Sequence, residues 1–304
     1  AEVGDTPVDI GLQRHDDFNN IYTSGTTGMP KGIVHSHAFR SQLPVDWERF
    51  DFSAESITLI STPLHSNITL IALLATLGAG GTAILMEQFN PLEFLRVAER
   101  ERVTNCMLVP IQYQQILALP DFDRFDLGKF KCKMSTGGPL PLSTKQDCLK
   151  RWPGRLVEVY GLTEGGGRSM LEVGLCPDKL HTAGCPGEKV EFKFIDEKDR
   201  ELPLGSVGEI VGRSHLMMKG YYKRPERTRD LFWRDSAGRV FFRSGDVGLL
   251  DKDGFLIVLD RKSDVIHSGG IDIYAAELEA VLLRHEQVAE AAVIGVPDRQ
   301  AGEL

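Results

Sequence analysis

The chain has 304 residues, 42% of them hydrophobic, with 35 basic and 43 acidic side chains and a formal net charge of −8. That length suits roughly two globular domains with a real core, and the acidic balance argues against nonspecific binding to nucleic acid or to an anionic membrane. Five cysteines (Cys106, Cys132, Cys148, Cys176 and Cys185) form no C-x-x-C pair and are odd in number, so neither a zinc site nor a disulfide framework is indicated and a reducing, cytoplasmic setting is the simplest reading.

In chain order, the start AEVGDTPVDI has no charged-then-apolar signal pattern. Residues 57–60 (ITLI) read as a short buried strand. Residues 70–77 read as a buried helix stopped by Gly78, Gly80 and Gly81. The apolar run over 68–81 is too short and glycine-rich to span a bilayer, so no integral membrane segment is expected. Residues 82–86 form the next expected strand. Residues 91–102 predict an amphipathic helix, with Pro91, Phe94, Leu95 and Ala98 on one face. A strand at 106–109, a helix near 112–119, and strand-like runs at 132–134 and 156–159 follow. This alternation predicts an α/β core with a mostly parallel sheet over residues 1–185.

After Pro186 the pattern changes. Val190, Phe192 and Phe194 alternate onto one face, and short apolar runs recur at 209–211, 240–242 and 249–250. Asp253-Gly254 is a hairpin turn signal before the run at 255–259. Residues 186–262 therefore predict an antiparallel, barrel-like subdomain. Residues 271–296 read as strand, helix (275–284) and strand, the beginning of a small α+β domain over 263–304.

The chemistry begins at residues 22–32, YTSGTTGMPKG. Glycines let backbone N–H groups approach a ligand, hydroxyls add neutral donors, and Lys31 adds a mobile positive charge. Those are the parts of a phosphate-cradling loop. It is not a Walker A loop, because Lys31 follows Pro30 and precedes a glycine. A flexible Ser/Gly linker is the bland alternative. Residues 160–164, YGLTE, follow an apolar strand, and such turns sit at the ligand-binding edge of α/β sheets. Tyr160 can stack on a flat heterocycle, and Glu164 is a hard oxygen ligand suited to Mg²⁺. Asp246, in RSGDVG, is suited to accept both hydroxyls of a ribose. The glycine pair in STGGP (135–139) allows close approach to a flat ring, or makes a plain β-turn.

Taken together and in this order, these segments resemble the adenylate-forming superfamily. It holds acyl- and aryl-CoA ligases, the adenylation domains of nonribosomal peptide synthetases, and firefly luciferase. The resemblance runs nearly the whole length of the chain. It implies ATP, Mg²⁺ and CoA as ligands and a carboxylic acid as substrate. It assigns the phosphates to Thr23, Ser24, Gly25, Thr26, Thr27, Gly28 and Lys31, and the α-phosphate to Thr163. Glu164 would hold Mg²⁺. Adenine would lie beside Gly137, Gly138, Pro139, Tyr160 and Gly161, and the ribose on Asp246 and Arg261. His65, in PLHSN, matches a histidine beside the acyl pocket, with a structural histidine as the equal alternative. Ser268, Gly269 and Gly270 match a loop that approaches the thiol of CoA, or form a plain turn. The family hinge aligns with Ser263, where aspartate or lysine is usual.

The expected activity is ATP-dependent acyl-CoA synthesis from a long-chain fatty acid or related carboxylate. An adenylation enzyme with a carrier-protein acceptor, or a non-catalytic nucleotide-binding fragment, are the rivals. The family's adenylation lysine lies in a segment beyond Leu304, and a sizeable region precedes the phosphate loop in the family. The chain therefore reads as an internal portion of a longer enzyme. The sequence carries no signal of oligomeric state.

Overall fold

A computed structural model describes residues 10–23, 30–47, 50–283, 285, 287–288 and 290–304, with backbone alone over 43–47. The first elements are a hairpin of β1 (Asp17–Thr23) and β2 (Lys31–Ser36), followed by α1 (His37–Trp47). Then come β3 (Ile57–Ile60), α2 (Asn67–Gly78), β4 (Thr82–Leu85), α3 (Pro91–Arg100), β5 (Asn105–Leu108), α4 (Pro110–Leu117), β6 (Cys132–Ser135), α5 (Leu142–Arg151) and β7 (Arg155–Gly161). These strands run parallel in the order β4-β3-β5-β6-β7. The sheet continues antiparallel through β8 (Arg168–Glu172) and β9 (Cys185–Pro186).

The strands are apolar on both faces because both faces are covered, as parallel sheets require. Leu59, Cys106, Leu108 and Leu156 point to one side and pack with Phe94 of α3, Tyr113 of α4 and Cys148 of α5. Trp152 sits at the centre of that layer, its ring 5.3–6.0 Å from those of Phe94, Tyr113, Phe122 and Phe130. Met107, Met134, Val157 and Val159 point the other way, against Phe39 of α1 and Ala72 and Ala75 of α2. Lys133 is fully buried on the first side. Its Nζ donates to the carbonyls of Trp152, Pro153 and Gly154 at 2.6–3.1 Å, closing the C-terminus of α5.

The second part is antiparallel. β10 (Glu191–Ile195) and β11 (Gly208–Arg213) lead to β12 (Gly220–Tyr221), which leaves this sheet to pair with β2. After α6 (Pro225–Asp230), β13 (Phe232–Arg234), β14 (Val240–Leu250) and β15 (Leu256–Arg261) complete a sheet ordered β10-β11-β14-β13, with β15 on β14. The expected turn at Asp253-Gly254 joins β14 to β15.

The C-terminal stretch holds β16 (Val265–Ser268), β17 (Ile271–Tyr274) and α7 (Ala275–Leu282), then β18 (Pro297–Asp298) and β19 (Gly302–Glu303). The strand expected to close residues 271–296 is not formed. Its apolar side chains Ile294 and Val296 are more than half exposed, and at its end Val296 exchanges backbone hydrogen bonds with Leu304, just beyond β19, at 2.8 and 2.9 Å.

Candidate active site

The site gathers at the C-terminal edge of the parallel sheet, where open α/β sheets place ligands. Three loops leave that edge. The one after β3 carries His65, the one after β6 carries Gly137 to Pro139, and the one after β7 carries Leu162 to Glu164.

The candidate phosphate loop is flanked by described stems. Thr23 and Lys31 are register partners across the β1–β2 hairpin. The candidates Ser24, Gly25, Thr26, Thr27 and Gly28 lie outside the described residues. Beside the hairpin, Tyr221 of β12 faces Ile33 of β2 in register. The Lys31 ammonium lies 5.3 Å from the centre of the Tyr221 ring. The Tyr221 hydroxyl donates to Glu164 Oε1 at 2.8 Å. Burial, then the nearby Glu164 carboxylate, raises the Tyr221 phenol pKa and keeps it a donor. Lys31 and Glu164 thus flank one tyrosine.

The backbone at Thr163 and Glu164 is pinned twice. His35 Nε2 donates to the Thr163 carbonyl at 2.7 Å, and the Met218 amide donates to the Glu164 carbonyl at 2.8 Å. The next residue, Gly165, has φ +81°, and a Cβ added there would lie 2.1 Å from the Leu216 carbonyl oxygen. Only glycine passes this point.

The ribose candidates also converge. Asp246 is 3% exposed. It faces Arg261 in register across β14 and β15, and Arg261 Nε lies 3.0 Å from its Oδ1. The Tyr160 hydroxyl donates to its Oδ2 at 2.6 Å, and its own amide donates to Ser244 Oγ. Burial raises the Asp246 pKa, opposed by the Tyr160 hydrogen bond and the Arg261 charge. Each carboxylate oxygen retains acceptor capacity beyond these bonds. Residues from β7, β14 and β15 therefore meet at one carboxylate.

The glycine loop after β6 is anchored by a residue that carried no sequence signal. Glu158 of β7 accepts from the Leu140 amide at 2.7 Å and pairs with Lys145 of α5 at 2.5 Å. Both side chains are buried, at 5% and 4% exposure. Gly137 is tight against its neighbours, since an added Cβ would sit 3.2 Å from Ile68 Cδ1. Gly138 and Pro139 are exposed.

A cavity of about 420 Å³ opens beside these parts, although Lys31, Tyr160, Glu164, Asp246 and Arg261 do not themselves line it. Thr23, Gly137, Gly161, Thr163 and His65 line it, over a wall that includes Ile68, Ile71, Met107 and Val159. Apolar walls with a few convergent polar groups are the usual build of a small-molecule site. Ser268, Gly269 and Gly270 do not line it. They form the turn of the β16–β17 hairpin, with φ +58° at Gly269 and +83° at Gly270. A two-residue turn of that hand asks for glycines by itself.

Glu164 fits a magnesium ligand. Its second carboxylate oxygen takes no hydrogen bond among the described residues. Those residues contain no cluster of three or more acidic, histidine or cysteine side chains that could hold a metal alone. That donor set suits Mg²⁺, which takes one or two carboxylates and completes its sphere with phosphates and water.

A family model described as AMP-binding enzyme matches residues 4–222, and one described as AMP-binding enzyme C-terminal domain matches residues 277–304. The chain is 36% identical over 303 residues to a feruloyl-CoA synthase of an Amycolatopsis species, covering 99% of this chain and 60% of that protein. It is 34% identical over 291 residues to the long-chain-fatty-acid–CoA ligase FadD13 of Mycobacterium tuberculosis, covering 93% and 56%. ATP-bound MatB of Rhodopseudomonas palustris superposes with a TM-score of 0.86 at 28% identity, over 97% of this chain and 58% of that one. The chain thus spans 56–60% of the length of these curated relatives.

Proposed function

Because the chain belongs to the family of AMP-binding enzymes, we propose that its site activates a carboxylic acid with ATP and passes the acyl group to CoA. A carboxylate oxygen attacks the α-phosphorus of ATP, the bond to the bridging oxygen breaks, and pyrophosphate leaves. The thiol then attacks the acyl carbon of the adenylate, and AMP leaves. Two anions must meet in the first step, so charge neutralisation and alignment dominate its catalysis.

The residues divide that work. Lys31 and the phosphate loop hold the departing pyrophosphate, and Thr163 contacts the α-phosphate. Glu164, steadied by Tyr221, would hold Mg²⁺, which when bound spreads the negative charge of the phosphates. Asp246, Tyr160 and Arg261 fix the nucleoside, with the Gly137–Pro139 loop beside the base. His65 and the apolar wall receive the acid. A fatty or related acid with an apolar body is the substrate class this lining favours. CoA as acceptor is supported by the names of the two curated relatives. The five cysteines are free, in keeping with a reducing cytoplasm. No described helix is long and apolar enough to cross a membrane.

One observation carries this reading. Tyr160 of the YGLTE turn and Arg261 of β15 come from distant parts of the chain, yet both meet the Asp246 carboxylate of β14. Calorimetric titration with Mg·ATP tests it. Asp246→Ala should weaken binding by about 1–3 kcal/mol through loss of hydrogen bonds to a buried carboxylate. Unchanged affinity would remove Asp246 from the site.

A further inference from the structure

His35 lies on β2, four residues beyond Lys31, and is fully buried. No motif accounts for it. Its ring stacks on Phe39 with centroids 4.2 Å apart. Nε2 is 2.7 Å from the Thr163 carbonyl oxygen. A carbonyl only accepts, so Nε2 carries the proton. Nδ1 is 2.9 Å from Arg40 Nη2. A guanidinium only donates, so Nδ1 must accept. Two neighbours with fixed roles therefore impose one tautomer.

Arg40 is itself unusual. It is 2% exposed, its Nε donates to Asn19 Oδ1 at 2.9 Å, and its Nη1 is buried with no hydrogen-bond partner among the described residues. A buried cation is expensive to keep. Burial and the Arg40 charge together push the His35 pKa down to about 4, so the ring stays neutral near pH 7.

We propose that His35 is a positioning residue for the phosphate chemistry: held by Arg40 as the Nε2–H tautomer, it ties the strand leaving the phosphate loop to the Thr163 carbonyl and sets the spacing between that loop and Thr163–Glu164. The role rests on the function proposed above. The bond spans 128 positions of sequence and joins the two segments that must grip one triphosphate. With the Met218 amide on the Glu164 carbonyl, it holds both residues by backbone and leaves the second carboxylate oxygen of Glu164 to the ligand. A histidine that merely fills the core would matter equally for every ligand. This one should matter for phosphates and little for the nucleoside, which engages Tyr160 and Asp246.

The test compares wild type, His35→Leu and His35→Gln by calorimetry with Mg·ATP and with adenosine, beside ¹H–¹⁵N spectra of the wild-type imidazoles. We expect a protonated Nε2 and a bare Nδ1. His35→Leu should weaken Mg·ATP about tenfold or more while adenosine changes by less than about twofold. Glutamine can donate to Thr163 and accept from Arg40, and should restore most of the loss. If the leucine variant fails to fold, Arg40→Met, which removes the donor that fixes the tautomer, should show the same selective loss. An Nδ1–H tautomer, equal loss for both ligands, or no benefit from glutamine overturns the proposal. A wild type that binds neither ligand overturns the proposed function, and the positioning role with it. Against a wild type that binds both, selectivity judges His35 alone.

Discussion

Burial decides which charged residues matter at the site. Glu158 and Lys145 form an ion pair in the core, and removing one partner leaves the other charged and unpaired. Lys145→Met should cost about 3–5 kcal/mol in urea unfolding. The double variant with Glu158→Leu should recover much of that stability but not the adenosine affinity, because the Leu140 amide still lacks the acceptor that pins the glycine loop. Recovery of both would reduce the pair to packing. His35 gives a pH signature. Its folded pKa is about 4, below the unfolded value of 6.5. Between those values the unfolded chain binds a proton that the folded chain refuses, so stability falls as pH drops from 6.5 to 4, by up to about 3 kcal/mol. His35→Gln should flatten that part of the stability–pH curve. An unaltered curve would mean the ring titrates normally. Neither feature shows in the sequence. Lys145 sits in LSTKQD and Arg40 in HAFRSQ, both of which read as solvated helix faces. Their partners are 13 and 5 positions away or further, on other elements.

At the scale of elements, the two glycine-bearing turns separate steric need from local geometry. At Gly165, Ala would force a Cβ to 2.1 Å from the Leu216 carbonyl, in addition to a positive φ. At Gly269 the added Cβ meets nothing within 4 Å. Gly269→Ala should therefore cost about 1–2 kcal/mol, the penalty of a left-handed conformation. Gly165→Ala should cost clearly more and should also impair Mg·ATP binding, because it displaces Glu164. Similar thermal shifts for the two variants would contradict this. The parallel strands were legible because a strand covered on both faces reads as an apolar run, as at 57–60 and 156–159. The run at 291–296 reads the same way but forms no regular strand, although Val296 at its end exchanges backbone hydrogen bonds with Leu304. The β1–β2 hairpin was hidden because its stems DFNNIYT and KGIVHS mix polar with apolar residues. Yet Tyr160, Asp246 and Arg261, singled out from separate segments of the sequence, do meet at the Asp246 carboxylate.

For the whole molecule, the central claim is that one cavity holds both the nucleotide and the acid. The net charge of −8 gives no general attraction for an anion. Affinity must come from local groups such as Lys31, Arg261 and the phosphate loop. Thr23, Gly137 and Thr163 line the same 420 Å³ cavity as His65 and Met107, so nucleotide and acyl group should be bound as one molecule better than either part. The direct measurement is a thermal-shift panel of stable acyl-adenylate mimics, from short-chain to long-chain to aryl, each beside AMP alone. At about a hundred times its dissociation constant, a bound mimic should stabilise the fold by roughly 2.7 kcal/mol. The account predicts that at least one mimic with an apolar acyl group binds more tightly than AMP, and that Asp246→Ala weakens its binding. Binding of AMP as tight as that of every mimic, or no shift with any of them, would contradict it.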